Sequence, residues 1–152
     1  MTAKIITTDK TLAYLVVPWE EAFGYAQAIK VGSTIYVSGQ LSHDQEGQLV
    51  APALLDGAGR PHDFSTMERQ MEKTYQNAAA VLAQFGATLD DVVQETLYVL
   101  DVDAAFAVAG AVRRRAYGVD RPRVASNLIG VPRLAFPEQL LEIAFQAELR
   151  TA

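Results

Sequence analysis

The chain has 152 residues, no cysteine, two histidines and 13 basic against 18 acidic side chains, a formal charge of −5. That length fits one domain, taken here as residues 1–152, able to bury roughly two-thirds of its unfolded surface without disulfides or a structural metal. The missing cysteines exclude thiolate metal sites and cysteine nucleophiles, and the acidic balance argues against nucleic acid as a partner.

Residues 5–7 and 12–17 read as short β segments around the polar Thr8-Asp9-Lys10. Residues 23–29 alternate apolar with other side chains, Val31-Gly32-Ser33 supplies a turn, and residues 34–39 read as a second strand, together a hairpin. Residues 40–64 hold acidic, Gly and Pro positions with only short apolar pieces. A connection that long is often functional or partly mobile. Ser65-Thr66-Met67-Glu68 fits a capping box, with Ser65 as the cap. Met67, Met71, Tyr75, Ala78, Leu82 and Phe85 then mark one face of a helix, closed by Gly86.

Residues 92–100 are β-branched and apolar and predict a central strand. Asp103 is the expected cap of a second helix over residues 104–117, ending at Gly118. Arg113, Arg114 and Arg115 lie near its end, where cations complement the helix dipole. Residues 124–131 and 139–149 are the last two strands, with a loop bracketed by Pro132 and Pro137. The order predicts an α+β fold, one mixed sheet with two helices packed on one face, the other face waiting for a partner. Half the residues are hydrophobic and 20% charged, below the roughly 25% charged of an average protein, which also points to an oligomer. No signal-peptide pattern and no apolar run near the roughly 20 residues of a membrane span is present. The expectation is a soluble, cytoplasmic protein with no membrane partner.

Few residues stand out chemically. His43 and His62 have no third ligand at metal spacing and read as surface histidines, so no metal site is expected. The three arginines read as a solvated helix end rather than a phosphate or RNA contact. Arg123, just before an apolar strand, is either a solvated turn residue or a fork for a substrate carboxylate. Ser38 and Gly39, followed by Gln40, put polar groups and an open backbone position at a strand end before the long loop. That layout suits a binding site, and equally a plain turn. Glu142 is the most informative position, a carboxylate within the apolar run 140–145. Alternation sets it opposite the bulkier Leu141, Ile143 and Phe145, hence exposed, unless the other sheet face is an interface. There a desolvated carboxylate would be an acid or base. No nucleophile elbow, phosphate-binding glycine loop, dinucleotide fingerprint or zinc-helix motif occurs.

Several segments together resemble the reactive intermediate deaminase family (RidA, also called YjgF). They are Gly24-Tyr25-Ala26-Gln27-Ala28, Ile35-Tyr36-Val37-Ser38-Gly39-Gln40, Gln76-Asn77-Ala78, Gly86-Ala87-Thr88-Leu89-Asp90-Asp91, Arg121-Pro122-Arg123, Gly130-Val131-Pro132 and Leu141-Glu142-Ile143. The resemblance spans residues 23–149. It implies a chorismate-mutase-like α+β fold and a homotrimer whose sheets line a central barrel, with a small-molecule cleft at each subunit interface. It further implies hydrolysis of a reactive enamine or imine to a carbonyl compound and ammonia, with no cofactor. By that resemblance Glu142 positions water, Tyr25 shapes the pocket, Ser38 and Gly39 line it, and Arg123 binds a carboxylate. Counting back from Pro132 selects Arg123; counting forward from Pro122 selects Val124. Gly110 stands where the family has a pocket asparagine and Ala125 where it has a cysteine. The 40–65 loop is longer, and residues 134–137 look inserted. Two other functions stay open: a metabolite-binding trimer without catalysis, and the endoribonuclease or translation-inhibitor activity historically attached to the family.

Overall fold

The computed structural model describes residues 9–150; the β segment expected at 5–7 lies outside them. Six strands form one sheet in the order β1-β2-β3-β6-β4-β5, with β1 Thr11–Ala13, β2 Ala28–Val31, β3 Thr34–Gln40, β4 Val92–Val99, β5 Ala125–Gly130 and β6 Leu141–Glu148. Only β4 and β5 run parallel; the other neighbours are antiparallel. Gly32, at φ 60°, supplies the left-handed position that closes the expected β2–β3 hairpin.

Period-two alternation builds the core. Leu141, Ile143, Phe145 and Ala147 of β6 are buried, as are Ile35 and Val37 of β3 and Leu97 and Val99 of β4. Against them lie α2 (Met67–Ala83) and α3 (Val102–Tyr117), through Met67, Met71, Tyr75, Val81, Leu82 and Val112. Each fully buried large aliphatic contributes about 1.5–3 kcal/mol. The opposite sheet face carries Tyr36, Thr96, Tyr98, Ala144, Gln146 and Glu142, half-buried or exposed.

The structure corrects several local expectations. The strand expected over 12–17 stops at Ala13. Val16 takes φ 61°, and Pro18 opens a short helix, α1 (Pro18–Phe23). Proline suits a first helical position, and the Glu20 carboxylate accepts from the Leu15 and Val17 amides at 2.8 and 3.0 Å. Gly24, at φ 78°, ends α1 where an extended chain was expected. The Ser65 capping box does not form: Thr66 is the N-cap of α2, without a side-chain bond. The Ser65 amide instead donates to Asp63 Oδ1 at 2.8 Å. Asp101, not Asp103, caps α3, accepting from the Ala104 amide at 2.8 Å. The helix starts two residues early because a good cap directly follows the strand.

The long connection between β3 and α2 has no regular element, but α2 clamps it. Asn77 Nδ2 donates to the carbonyls of Leu41 and His43, and Gln70 Nε2 to those of Ala51 and Glu138. Two buried amides on one helix thus fix both this loop and the segment leading into β6.

Candidate functional site

Gly39 is a position that only glycine fills comfortably. The Glu142 side chain, reaching across from β6, lies where a Gly39 side chain would be, and an added Cβ would come within 2.6 Å of Glu142 Cγ and overlap the carboxylate. This close approach falls where the β3–β6 register shifts between Val37 and Gln40, a local irregularity of the kind that re-aims side chains. The Glu142 carboxyl is pushed above its ordinary value by burial, with no charge or hydrogen bond to offset it. A carboxylate so placed has free acceptor capacity and raised basicity.

Tyr25, at the start of the segment leading into β2, is near enough to feel the Glu142 charge. Burial raises its phenol. Hydrogen bonds from Gln27 and Trp19 oppose that rise, and the charges of Glu20 and Glu142 add to it. Gln27 Nε2 donates to the Tyr25 hydroxyl at 3.3 Å. Ser38 is drawn toward β2: its hydroxyl donates to the Ala26 carbonyl at 2.8 Å. Tyr25 and Ser38 line an open depression of about 1100 Å³ whose walls include Leu12, Val16 and Pro18.

Glu142 thus meets Gly39, and Tyr25 shares a depression with the neighbouring Ser38, all within one chain. Arg123 does not join them. It is 78% exposed and reaches Asp90 at 3.5 Å. In the parallel register Gln94 pairs with Ala125, whereas Glu142 pairs with Tyr98. Arg123 thus sits level with Val92, six residues along β4 from Tyr98, or about 20 Å at strand rise.

Two expectations for the other charged residues change. His43 is buried, 4% exposed. Its ring meets Trp19 edge-on at 5.1 Å, Nδ1 lies 2.8 Å from the Asp44 carbonyl, and burial lowers its basicity. Trp19 also meets Phe136 at 5.3 Å, so α1, the long loop and the 132–137 loop share one aromatic cluster. His62 is exposed as expected. Arg113 is no solvated helix end: its Nε donates at 2.5 Å to Glu95, a 0%-exposed carboxylate of β4 that also accepts from Tyr75, Tyr117 and Ser126. Arg115 pairs with Glu68 and Glu72 on α2, and Arg114 lies against Gly110, where a Cβ would stand 3.3 Å from its Nη1. Sequence reading noted Gln40 only as a polar group at the strand end, and missed Trp19 and Gln27 as members of the site. The one signal for them was two glutamines within the matched segments, one residue after Ala26 and one after Gly39.

Among the described residues no group of three or more His, Asp or Glu side chains is placed to hold a metal ion, and no helix is long and apolar enough to cross a membrane.

The sheet order and the two-helix layer agree with what comparison with known proteins finds. The family described as Endoribonuclease L-PSP matches residues 19–149. The chain belongs to that family, the RidA/YjgF family. A RutC family protein of Pyrococcus abyssi is 33% identical over 111 residues, covering 72% of this chain and 76% of the relative. The crystal structure of a YjgF-family protein from Mycobacterium tuberculosis aligns with TM-score 0.70 at 27% identity, covering 93% of this chain and 100% of that one. That of RidA from an Antarctic Psychrobacter aligns with TM-score 0.66 at 28% identity, covering 82% and 88%. The RidA/YjgF fold expected from the matched segments is the fold observed.

Proposed function

We propose that this RidA/YjgF-family protein hydrolyses a reactive enamine or imine to a carbonyl compound and ammonia. The observation that carries the reading is the Glu142 carboxylate seated in the gap left by Gly39, partly desolvated and free of protein hydrogen bonds. A general base needs an available lone pair and a raised proton affinity, and burial supplies the second. Glu142 takes a proton from water as its oxygen adds to the C=N carbon. The carbinolamine then collapses, the C–N bond breaks, and the nitrogen leaves as ammonia with protons from water and Glu142. Tyr25 and Ser38 bound the substrate.

The substrate carries a carboxylate, held by Arg123 of a second copy. Within one chain the roughly 20 Å of strand between Arg123 and Glu142 is too far for one small substrate. The half-buried, polar face of the sheet, with Tyr36, Tyr98 and Gln146 unpacked by any helix, supports a homotrimer in which neighbouring copies complete each cleft. The test is ammonia release from 2-imino acids generated in place by an amino-acid oxidase, with wild type, Arg123→Ala and Glu142→Gln compared. Loss in both variants supports the reading. Equal release in all three proteins overturns it, and a 2-keto acid that raises the melting temperature without turnover of the imine marks a binding protein instead.

A further inference from the structure

The hydroxyl of Tyr25 has its polarity set by a chain of buried amides. We infer that Gln40 and Gln27 are positioning residues that hold the Tyr25 O–H as a hydrogen-bond donor into the cleft beside Glu142. The chain starts at a group whose polarity is not in question, the Ser38 backbone carbonyl. A carbonyl only accepts, and it lies 2.9 Å from one end of the Gln40 amide, so that end is Nε2. The same Nε2 lies 2.8 Å from the Gln27 amide. The Gln27 atom facing it must accept, and is Oε1. The other end of Gln27 is then Nε2, and it faces the Tyr25 oxygen at 3.3 Å. An amide nitrogen only donates. The Tyr25 oxygen therefore accepts there, and its proton turns elsewhere.

Burial locks this logic. Gln27 is 2% and Gln40 1% exposed, so neither amide can rotate into water. Gln40 Oε1 has no protein partner, so nothing competes for the opposite orientation. Around Tyr25 two carboxylates are near enough to act on the phenol, Glu20 and Glu142. Both Glu20 oxygens already accept backbone amides, from Leu15 and Val17. Glu142 has no such bonds. With Gln27 and Trp19 donating to the phenol oxygen, its proton turns toward the open depression that Tyr25 lines, where Glu142 or a ligand can accept it. Burial also keeps the phenol protonated at neutral pH, so its proton stays available to donate while its oxygen accepts from Gln27.

In the reaction proposed above, on which the activity arm of this inference rests, the donor hydrogen-bonds to the imine nitrogen and polarises the C=N bond as water adds, and releases the nitrogen lone pair before water and Glu142 protonate it. Glu142 then serves as the acceptor and Tyr25 as the donor toward one substrate. No bond to Tyr25 is made or broken.

The test reads Tyr25 directly. The full chain is labelled with ζ-¹³C tyrosine, Tyr25→Phe assigns the resonance, and the phenol is titrated by NMR in wild type and in Gln27→Leu. Losing a donor that favours the phenolate should move the Tyr25 midpoint up by about one to two pH units. An unmoved midpoint in a folded Gln27→Leu overturns the inference. The isosteric Gln27→Glu guards against misfolding: its carboxylate can only accept at neutral pH, so it captures the Tyr25 proton and again raises the midpoint. In the activity arm, Gln27→Glu should lower kcat at least tenfold with little change in KM, and adding Tyr25→Phe should lower it no further. Full additivity of the two changes would overturn the positioning role. If no imine is turned over by wild type, the enzymatic reading fails while the titration still decides the donor assignment.

Discussion

Replacing Gly39 with alanine should be felt through a single residue, Glu142. Gly39 is not in the left-handed region, so alanine meets no backbone strain there, and restricting the unfolded chain alone would stabilise the protein by about 0.4–1 kcal/mol. The new methyl overlaps the Glu142 carboxylate and stands 2.6 Å from Cγ. Because Cγ is too close as well, turning the carboxylate about its terminal bond does not clear the contact, and the whole side chain must change rotamer. Overpacking of this kind costs about 1–3 kcal/mol, so the net loss should be about 1–2 kcal/mol. In a Glu142→Ala background the obstruction is gone, and the same substitution should be neutral to stabilising. Urea unfolding of the four proteins measures the coupling between the two positions. The same cost in both backgrounds would refute the reasoning, since it would mean that the methyl meets something other than Glu142.

Three further outcomes follow from the packing and charges. The Glu142 carboxyl is held above 4.5 by burial. A raised folded value means that the stabilising contribution is complete below the unfolded value and is lost as pH rises through the folded one. Glu142→Gln should therefore be more stable than wild type at neutral pH, with the gap closing as pH falls through the raised folded value and gone below 4.5, measured by urea midpoints across the range. Arg113→Met leaves the fully buried Glu95 without its cation and should cost about 3 kcal/mol in thermal or urea unfolding. Asp101→Ala removes the cap bond to Ala104 and should cost about 1 kcal/mol, whereas Asp103→Ala, which removes only a first-turn charge, should cost about 0.3 kcal/mol.

Where sequence reading succeeded, the signal was periodic. The three- and four-residue steps from Met67 onward became the buried face of α2, and the alternation about Glu142 put Leu141, Ile143 and Phe145 in the core. Where it failed, a short-range competitor won. Asp63 took the Ser65 amide that a capping box needed, and Asp101 began α3 before Asp103 could. The α1 helix was missed because six residues carry too little periodicity to register. Arg113 looked like one of three solvated arginines because its partner, Glu95, is 18 residues away in the chain and hidden under the helix layer.

The site divides in the same way. The chain by itself determined the strand that carries Glu142 and the strand end at Ser38 and Gly39, because alternation and turn chemistry are local. Only the tertiary structure decided that the Glu142 side chain occupies the space Gly39 leaves, since that depends on the β3–β6 register. It also set Arg123 level with the far end of β4. The residues that orient Tyr25 emerge only there too, because Gln27 and Gln40 lie 13 residues apart and acquire their roles through burial side by side. Side-chain polarity in that pair is dictated by a single backbone carbonyl, a constraint that exists only once β2 and β3 are paired.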